Sequence, residues 1–321
     1  MTRSHRWLLP LRGDQPASRV LGDALAQRLS LVRRAALLAA DHAADDREYV
    51  HRLRVATRRA DAVLRATQVL TGDDAGRDLR RKLRKLRRLA GVARDLDVQL
   101  ALLLETPFPV SSSTRLAVLH RLVSERGIAQ SRLSACVDKL RRKHRFRHWR
   151  RWAEQLSWSG NDAEPTGAQV LALGLSEAVR KLAEQGTPWP QQRPAIHRLR
   201  MNGKRVRYLG ELAAGCLPAN TWETLGPRLQ QFQDDLGNWH DRQVAVDCWQ
   251  GWAASPPAGC EVAELAEAAR RAVEQEAAAR RDCEERWSGP PFQQLLDELS
   301  RELQTLSRTE PTAESPEPGG V

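Results

Sequence analysis

His51-Arg-Leu-Arg-Val-Ala-Thr-Arg-Arg59 returns as His197-Arg-Leu-Arg-Met-Asn-Gly-Lys-Arg205, a shift of 197 − 51 = 146 residues. The same shift carries Gly91 onto Gly237, Asp95 onto Asp241 and Val98 onto Val244. It also carries Leu25, Ala26, Leu29, Ser30 and Arg34 onto Leu171, Ala172, Leu175, Ser176 and Arg180. One gapless register therefore relates roughly residues 25–98 to 171–244, and a repeat of that length predicts two copies of one structural unit. At about 100° per residue in an α-helix, His51, Arg54, Arg58 and Arg65 share one face, with Leu53, Ala56, Ala60 and Leu64 on the other. In the second copy His197, Arg200, Lys204, Arg207 and Tyr208 form the polar stripe, and Leu199, Val206 and Ala213 face away from it. The apolar stripe accounts for packing. It does not account for cations recurring at the same offsets, because a merely solvated face is free to exchange signs. Guanidinium groups one turn apart can each grip a phosphate oxygen, and a protonated histidine beside them can donate to the same anion.

Outward from these motifs the chain reads as helical. Leu25, Leu29, Val32, Ala36 and Ala39 recur at helical steps, and a second helix is predicted from about Arg47 to Thr71. Leu79, Leu83, Leu86 and Ala90 stripe a third, with an interruption expected near Gly91. A fourth follows the capping run Ser111–Thr114, and residues from Lys139 to Leu156 read as a basic, Trp-containing helix. The second half repeats the plan: helices near 168–185, from His197 and near 221–236, then a long surface helix over 261–286. No β-type alternation of useful length is present. The organisation predicted is an N-terminal extension (1–19), a first half (20–156), a linker (157–167), a second half (168–307) and a disordered tail (308–321) rich in Pro, Glu, Ser and Gly.

The basic surface extends into the third helix, where Arg80, Arg81, Lys82, Arg84, Lys85, Arg87 and Arg88 put seven like charges into nine residues. Such a helix is easier to keep folded with an anion alongside. Its counterpart keeps Arg228 opposite Lys82 but has Gln231, Gln233 and Asp234 for Lys85, Arg87 and Arg88, so a lopsided site is expected, stronger on the first half. Arg141-Arg-Lys-His-Arg-Phe-Arg-His-Trp-Arg-Arg151 mixes cations with aromatics, which suits either a ligand surface or a solvated face whose Phe146 and Trp149 enter the core. The net charge of +11 and pI near 10.2 favour anionic partners. Five scattered cysteines without a C-x-x-C pair suggest neither a disulfide framework nor a zinc site, and fit a reducing cytoplasm. No apolar run approaches the length of a membrane span.

His-x-x-Arg-Val-x-x-Arg-Arg at 51–59, Leu-Ala-Gly-Val-Ala-Arg-Asp-Leu-Asp-Val at 89–98, His-x-x-Arg-x-x-x-Lys-Arg-x-Arg-Tyr at 197–208 and Leu-Gly-Asn-Trp-His-Asp at 236–241 resemble the conserved-histidine α-helical domain family, CHAD. The resemblance covers roughly residues 20–300. It implies an all-α fold of two four-helix bundles related by a pseudo-twofold axis, an arrangement that suits an internal duplication. It also implies a basic groove that binds inorganic polyphosphate without catalysis, at polyphosphate granules in the cytoplasm, and an association with enzymes of polyphosphate metabolism. Residue by residue, the polyphosphate-binding positions it implies are His51, Arg54, Arg58 and Arg59, then Lys82 and Lys85, then His197, Arg200, Lys204, Arg205 and Arg207. The charge run adds Arg81 and Arg88 to this set. No cofactor and no membrane partner is expected.

Three other classes stay open from sequence: a metal-dependent enzyme, a nucleic-acid-binding protein and an interaction scaffold whose basic face meets an acidic protein. His240-Asp241 is an HD dipeptide of the kind that metal-dependent phosphohydrolases use, but the repeat aligns His240 with Arg94, which cannot ligate a metal. Asp95 and Asp241 read better as a cap or as anchors for neighbouring arginines. No P-loop, G-x-S-x-G elbow or tunnel-triphosphatase Glu-x-Glu-x-Lys signature is present. Nucleic acid is the less favoured partner: it offers the same phosphates, but no helix-turn-helix, RRM, KH or zinc-finger signature accompanies the charge.

Overall fold

Leucine and alanine at three- and four-residue steps give the chain its elements, and a computed structural model shows where their apolar faces meet. It describes residues 13–70, 74–105, 110–217 and 221–307; the predicted tail and most of the N-terminal extension lie outside these. The described residues form ten α-helices. The first half holds α1 (Ala17–Asp41), α2 (Glu48–Ala66), α3 (Asp74–Glu105), α4 (Ser112–Arg142) and α5 (Arg145–Glu154). The second holds α6 (Gly167–Gly186), α7 (Arg193–Ala213), α8 (Thr221–Ala254), α9 (Val262–Trp287) and α10 (Pro290–Ser307). Among these residues no strand forms, beyond one isolated bridge between Pro16 and Thr166.

Each half packs its successive helices in order: α1 on α2, α2 on α3 and α3 on α4, then α6 on α7, α7 on α8 and α8 on α9. A fifth helix joins the four-helix plan that the resemblance implies for each half: α5, within the basic segment read as a helix from sequence, lies against α1, and α10 lies against α6. Across the boundary, α1 meets α6, α2 meets α7 and α3 meets α8. The starts of α1 and α6 are tied together by Ala17 N–H donating to the Pro165 carbonyl and Gly167 N–H to that of Gln15, both at 2.9 Å. A Cβ on Gly167 would lie 2.8 Å from Val20, so only glycine allows this approach. The buried core is continuous through both halves.

Three local expectations change. α3 runs through Gly91 without interruption. The basic segment after Lys139 is two helices rather than one, because His144 takes a left-handed conformation (φ 49°) between α4 and α5. That turn puts Phe146 and Trp149 into the core in an edge-to-face pair 5.4 Å apart, leaving most cations of the cluster at the surface. The helix expected near 221–236 continues to Ala254. Side chains then lock the helices: Gln130 and Ser134 of α4 donate to the Ala39 and Ala40 carbonyls of α1, and Trp239 of α8 donates to Glu276 of α9. No helix among the described residues is long and apolar enough to cross a membrane.

Candidate anion-binding cavity

Between α1, α2 and α3 of the first half and α7 and α8 of the second lies a cavity of about 800 Å³. Its walls include the polar stripes that the repeat preserves. Of the residues singled out from sequence, His51, Arg54, Arg58, Arg59, Arg200, Lys204 and Arg207 line it. His197 sits beside it, its ring 5.8 Å from that of His240, which does line it. The other five lie elsewhere. Arg205 faces Arg65, Arg80, Asp61 and Glu177 on another side of α7. Arg81 is exposed and bonds Asp78 at 2.6 Å, and Arg88 is exposed. Lys82 and Lys85 lie on the side of α3 near Cys136 of α4, whose thiol feels their charge. The reason is geometric: α3 carries cations on every side but its leucine stripe, and only one face, with Gly91, Arg94 and Asp95, can turn toward the cavity. The basic run therefore does not extend this cavity as expected.

The repeated glycines and aspartates serve the arginines. A Cβ at Gly91 would lie 2.6 Å from an Arg54 terminal nitrogen, so the glycine seats that guanidinium. Asp95 then holds Arg54 from 3.6 Å. In the second copy Gly237 stands next to Arg200, 4.0 Å from Cβ to terminal nitrogen, and Asp241 supplies the attractive field. Burial pushes the Asp241 carboxyl up from its ordinary value, with Asp95 adding and Arg200 and Lys204 opposing.

Cations outnumber anions on this wall. Buried Nε atoms of Arg58, Arg200 and Arg207 have no hydrogen-bond partner among the described residues. Burial, then Arg200, Arg58 and Arg54, hold the Lys204 ammonium well below its ordinary pKa. Burial lowers Arg200 to about 10, with Asp241 opposing and Arg58 and Arg54 assisting, which leaves it a cation at neutral pH. The histidines respond to the same field. Burial and then Arg94, Arg54, Lys204 and Arg58 bring His51 down to about 4, and burial with Arg200 and His197 brings His240 to about 3. Both are neutral near pH 7, so each offers one N–H rather than the protonated donor expected from sequence.

Several lining residues escaped the repeat. Arg28, 2 % exposed on α1, has Arg59 and Glu211 as its strongest charged neighbours, and burial lowers it to about 10. Its position 146 residues on is Gly174, so no recurrence signals it. Arg94 and His240, which the repeat aligns, both line the cavity, though neither is in the binding set expected from sequence. Arg59 crosses between the halves to Glu211 with two bonds, 2.7 and 3.1 Å, and Tyr208 lies under both Arg59 and Arg207. Among the described residues no group of three His, Cys, Asp or Glu side chains is placed to hold a metal ion.

A family model described as the CHAD domain matches residues 23–250. The chain belongs to the CHAD domain family. The crystal structure of the CHAD domain from the plant Ricinus communis superposes with a TM-score of 0.65 at 21 % identity, covering 92 % of this chain and 94 % of that one. PptA from Streptomyces chartreusis superposes with a TM-score of 0.64 at 18 % identity, over 88 % of this chain and all of that one (100 %). At such identities the likeness establishes the CHAD fold and nothing finer. No curated relative matches by sequence.

Proposed function

We propose that this CHAD protein binds inorganic polyphosphate in the cavity between its halves and catalyses nothing on its own. One observation carries the reading: Arg58, Arg200, Lys204 and Arg207 converge from α2 and α7 on one cavity, three of them with a buried donor unsatisfied. Unmatched cations in a partly dry site cost free energy until an anion enters, and charge-assisted bonds to phosphate are the strong ones. Family membership supports the choice of polyphosphate. The recurrence of whole motifs supports an origin by duplication, and we place the protein with enzymes of polyphosphate metabolism at cytoplasmic granules. A phosphohydrolase centre at His240 and Asp241 would have to seat its metal ion among Arg54, Arg200 and Lys204, where repulsion is strongest.

Titration with long-chain polyphosphate at rising salt tests the reading. For nucleic acid, six to ten phosphate contacts lose about 10³–10⁵ in affinity between 50 and 200 mM salt, and a comparably steep fall is expected here. RNA and duplex DNA at matched phosphate concentration should bind more weakly. A flat salt response, or orthophosphate binding as tightly as the polymer, would refute the proposal.

A further inference from the structure

The cavity's cations suit phosphate, but part of its wall does not. On α1, Leu31, Ala35 and Leu38 follow Arg28 at helical steps and line the cavity, together with Tyr49 and Val55 of α2. A phosphate chain presents only charged oxygens and gains nothing by covering apolar carbon. The scaffold does not demand apolar residues on this stripe: 146 residues on, α6 carries Glu177, Lys181 and Glu184. A second mismatch lies on α8. Gln233 lines the cavity at 4 % exposure, its Nε2 donates to the Gly203 carbonyl at 2.8 Å, and its Oε1 is buried with no partner among the described residues. That acceptor repels a phosphate oxygen and calls for an N–H or O–H donor. Tyr49 lines the cavity half-buried with the Arg52 guanidinium 5.6 Å from its ring centre, so an aromatic ring and a guanidinium, the groups against which bases lie, stand together there.

We propose that the cavity accepts a nucleoside oligophosphate: its phosphates on Arg58, Arg200, Lys204 and Arg207, its base and sugar on the Leu31, Leu38 and Tyr49 wall, with a donor to Gln233. A volume of about 800 Å³ lies within the range of small-molecule sites. The inference rests on the anion-binding reading of the same cavity, and the test separates the two. The full chain is titrated calorimetrically with adenosine tetraphosphate and with inorganic tetraphosphate at one ionic strength. The inorganic ligand carries more charge, so electrostatics alone ranks it first. Base stacking instead makes the nucleoside form about tenfold tighter. Tyr49→Ala and Leu38→Gln, each confirmed folded by thermal melting, bring the two ligands to within about threefold of each other. Inorganic tetraphosphate binding as well as or better than the nucleoside form overturns this inference and leaves the polyphosphate reading standing. Neither ligand binding overturns both. A nucleoside preference that survives both variants overturns the assignment of the wall.

Discussion

The α2–α7 contact has two ends built from corresponding residues, and they differ in where the carboxylate stands. At one end Arg59 meets Glu211 and Arg207 faces the cavity with a buried Nε unsatisfied. The positions 146 residues away from these three are Arg205, Arg65 and Asp61. There Arg205 has Arg65 as its strongest charged neighbour instead of a glutamate. Asp61, 8 % exposed, draws in Arg65 at 3.3 Å, Arg80 at 3.5 Å and Arg87 at 3.7 Å. One end turns an arginine into the cavity and the other puts a carboxylate in the corresponding place, although Arg80 and Arg205 there also keep a buried Nε without a partner among the described residues. The lesson is that basic residues alone do not define a site here. The position of one carboxylate decides whether the surrounding cations are spent internally or left for a ligand.

Removing cations at each end separates the two most sharply. Arg200→Ala with Lys204→Ala takes two basic groups from the wall of the open end. Charge-assisted contacts contribute about 1.5–3 kcal/mol each, so affinity for long polyphosphate should fall by about 10²-fold or more. The melting temperature of the free protein should hold or rise, since repulsion with Arg58 and Arg54 is relieved. Arg65→Ala with Arg80→Ala at the closed end should do the reverse, lowering the melting temperature and leaving affinity within about threefold, because those cations already serve Asp61. If the closed-end pair weakened binding as much as the open-end pair, the distinction between the ends would be wrong.

Moving the carboxylate gives a smaller and more specific effect. Arg207→Asp places at the open end the residue that stands at 61, next to cations it can neutralise. Affinity should fall about tenfold while free-protein stability rises. Asp61→Asn should destabilise the fold by about 1–3 kcal/mol through the loss of a buried acceptor for three arginines. It should also improve binding of long chains while leaving tripolyphosphate unchanged, because a newly freed patch reaches only polymers that span both ends. Denaturant unfolding and chain-length titrations check the two parts. Equal gains for long and short chains would show that the patches are not bridged by one polymer.

Much of this was legible in the sequence because a repeat compares a protein with itself. The stripes of α2 and α7, the glycines at 91 and 237 and the aspartates at 95 and 241 recur together beside Arg54 and Arg200, and recurrence exposes them. The run at 80–88 misled because charge density along a helix does not say which face turns inward. Arg87 reaches Asp61 and Arg80 does too, while Arg81 and Arg88 point to solvent. Arg28 and the Leu31–Leu38 wall stayed hidden for the opposite reason. They belong to one half only, and inside an apolar stripe they read as core. The break at His144 was also out of reach, since only the packing of Phe146 and Trp149 on the first half's core demands it.

The mildest test of the comparison uses pH, because the open end alone holds histidines in the field of unmatched cations. In the free protein His51 sits at about 4 and His240 at about 3, against an ordinary 6.5. The unfolded chain takes up these protons as pH falls through 6.5 and the folded chain does not. Their contribution to stability is therefore full above 6.5 and is lost as pH falls toward 4. A bound polyanion replaces repulsion with attraction and raises both values, so binding takes up protons and affinity strengthens as pH falls. A single histidine restored to about 6 would strengthen binding about fourfold between pH 8 and 5.5. The ligand should be a long chain, whose interior phosphates keep their charge across this range, whereas terminal phosphates take up protons and oppose the trend. His51→Asn and His240→Asn should each flatten the profile, and His42→Asn, at an exposed histidine paired with Asp45, should not. Binding that weakened on acidification in the unsubstituted protein would mean that the anion does not sit within reach of His51 and His240, and the open end would lose its claim to the ligand.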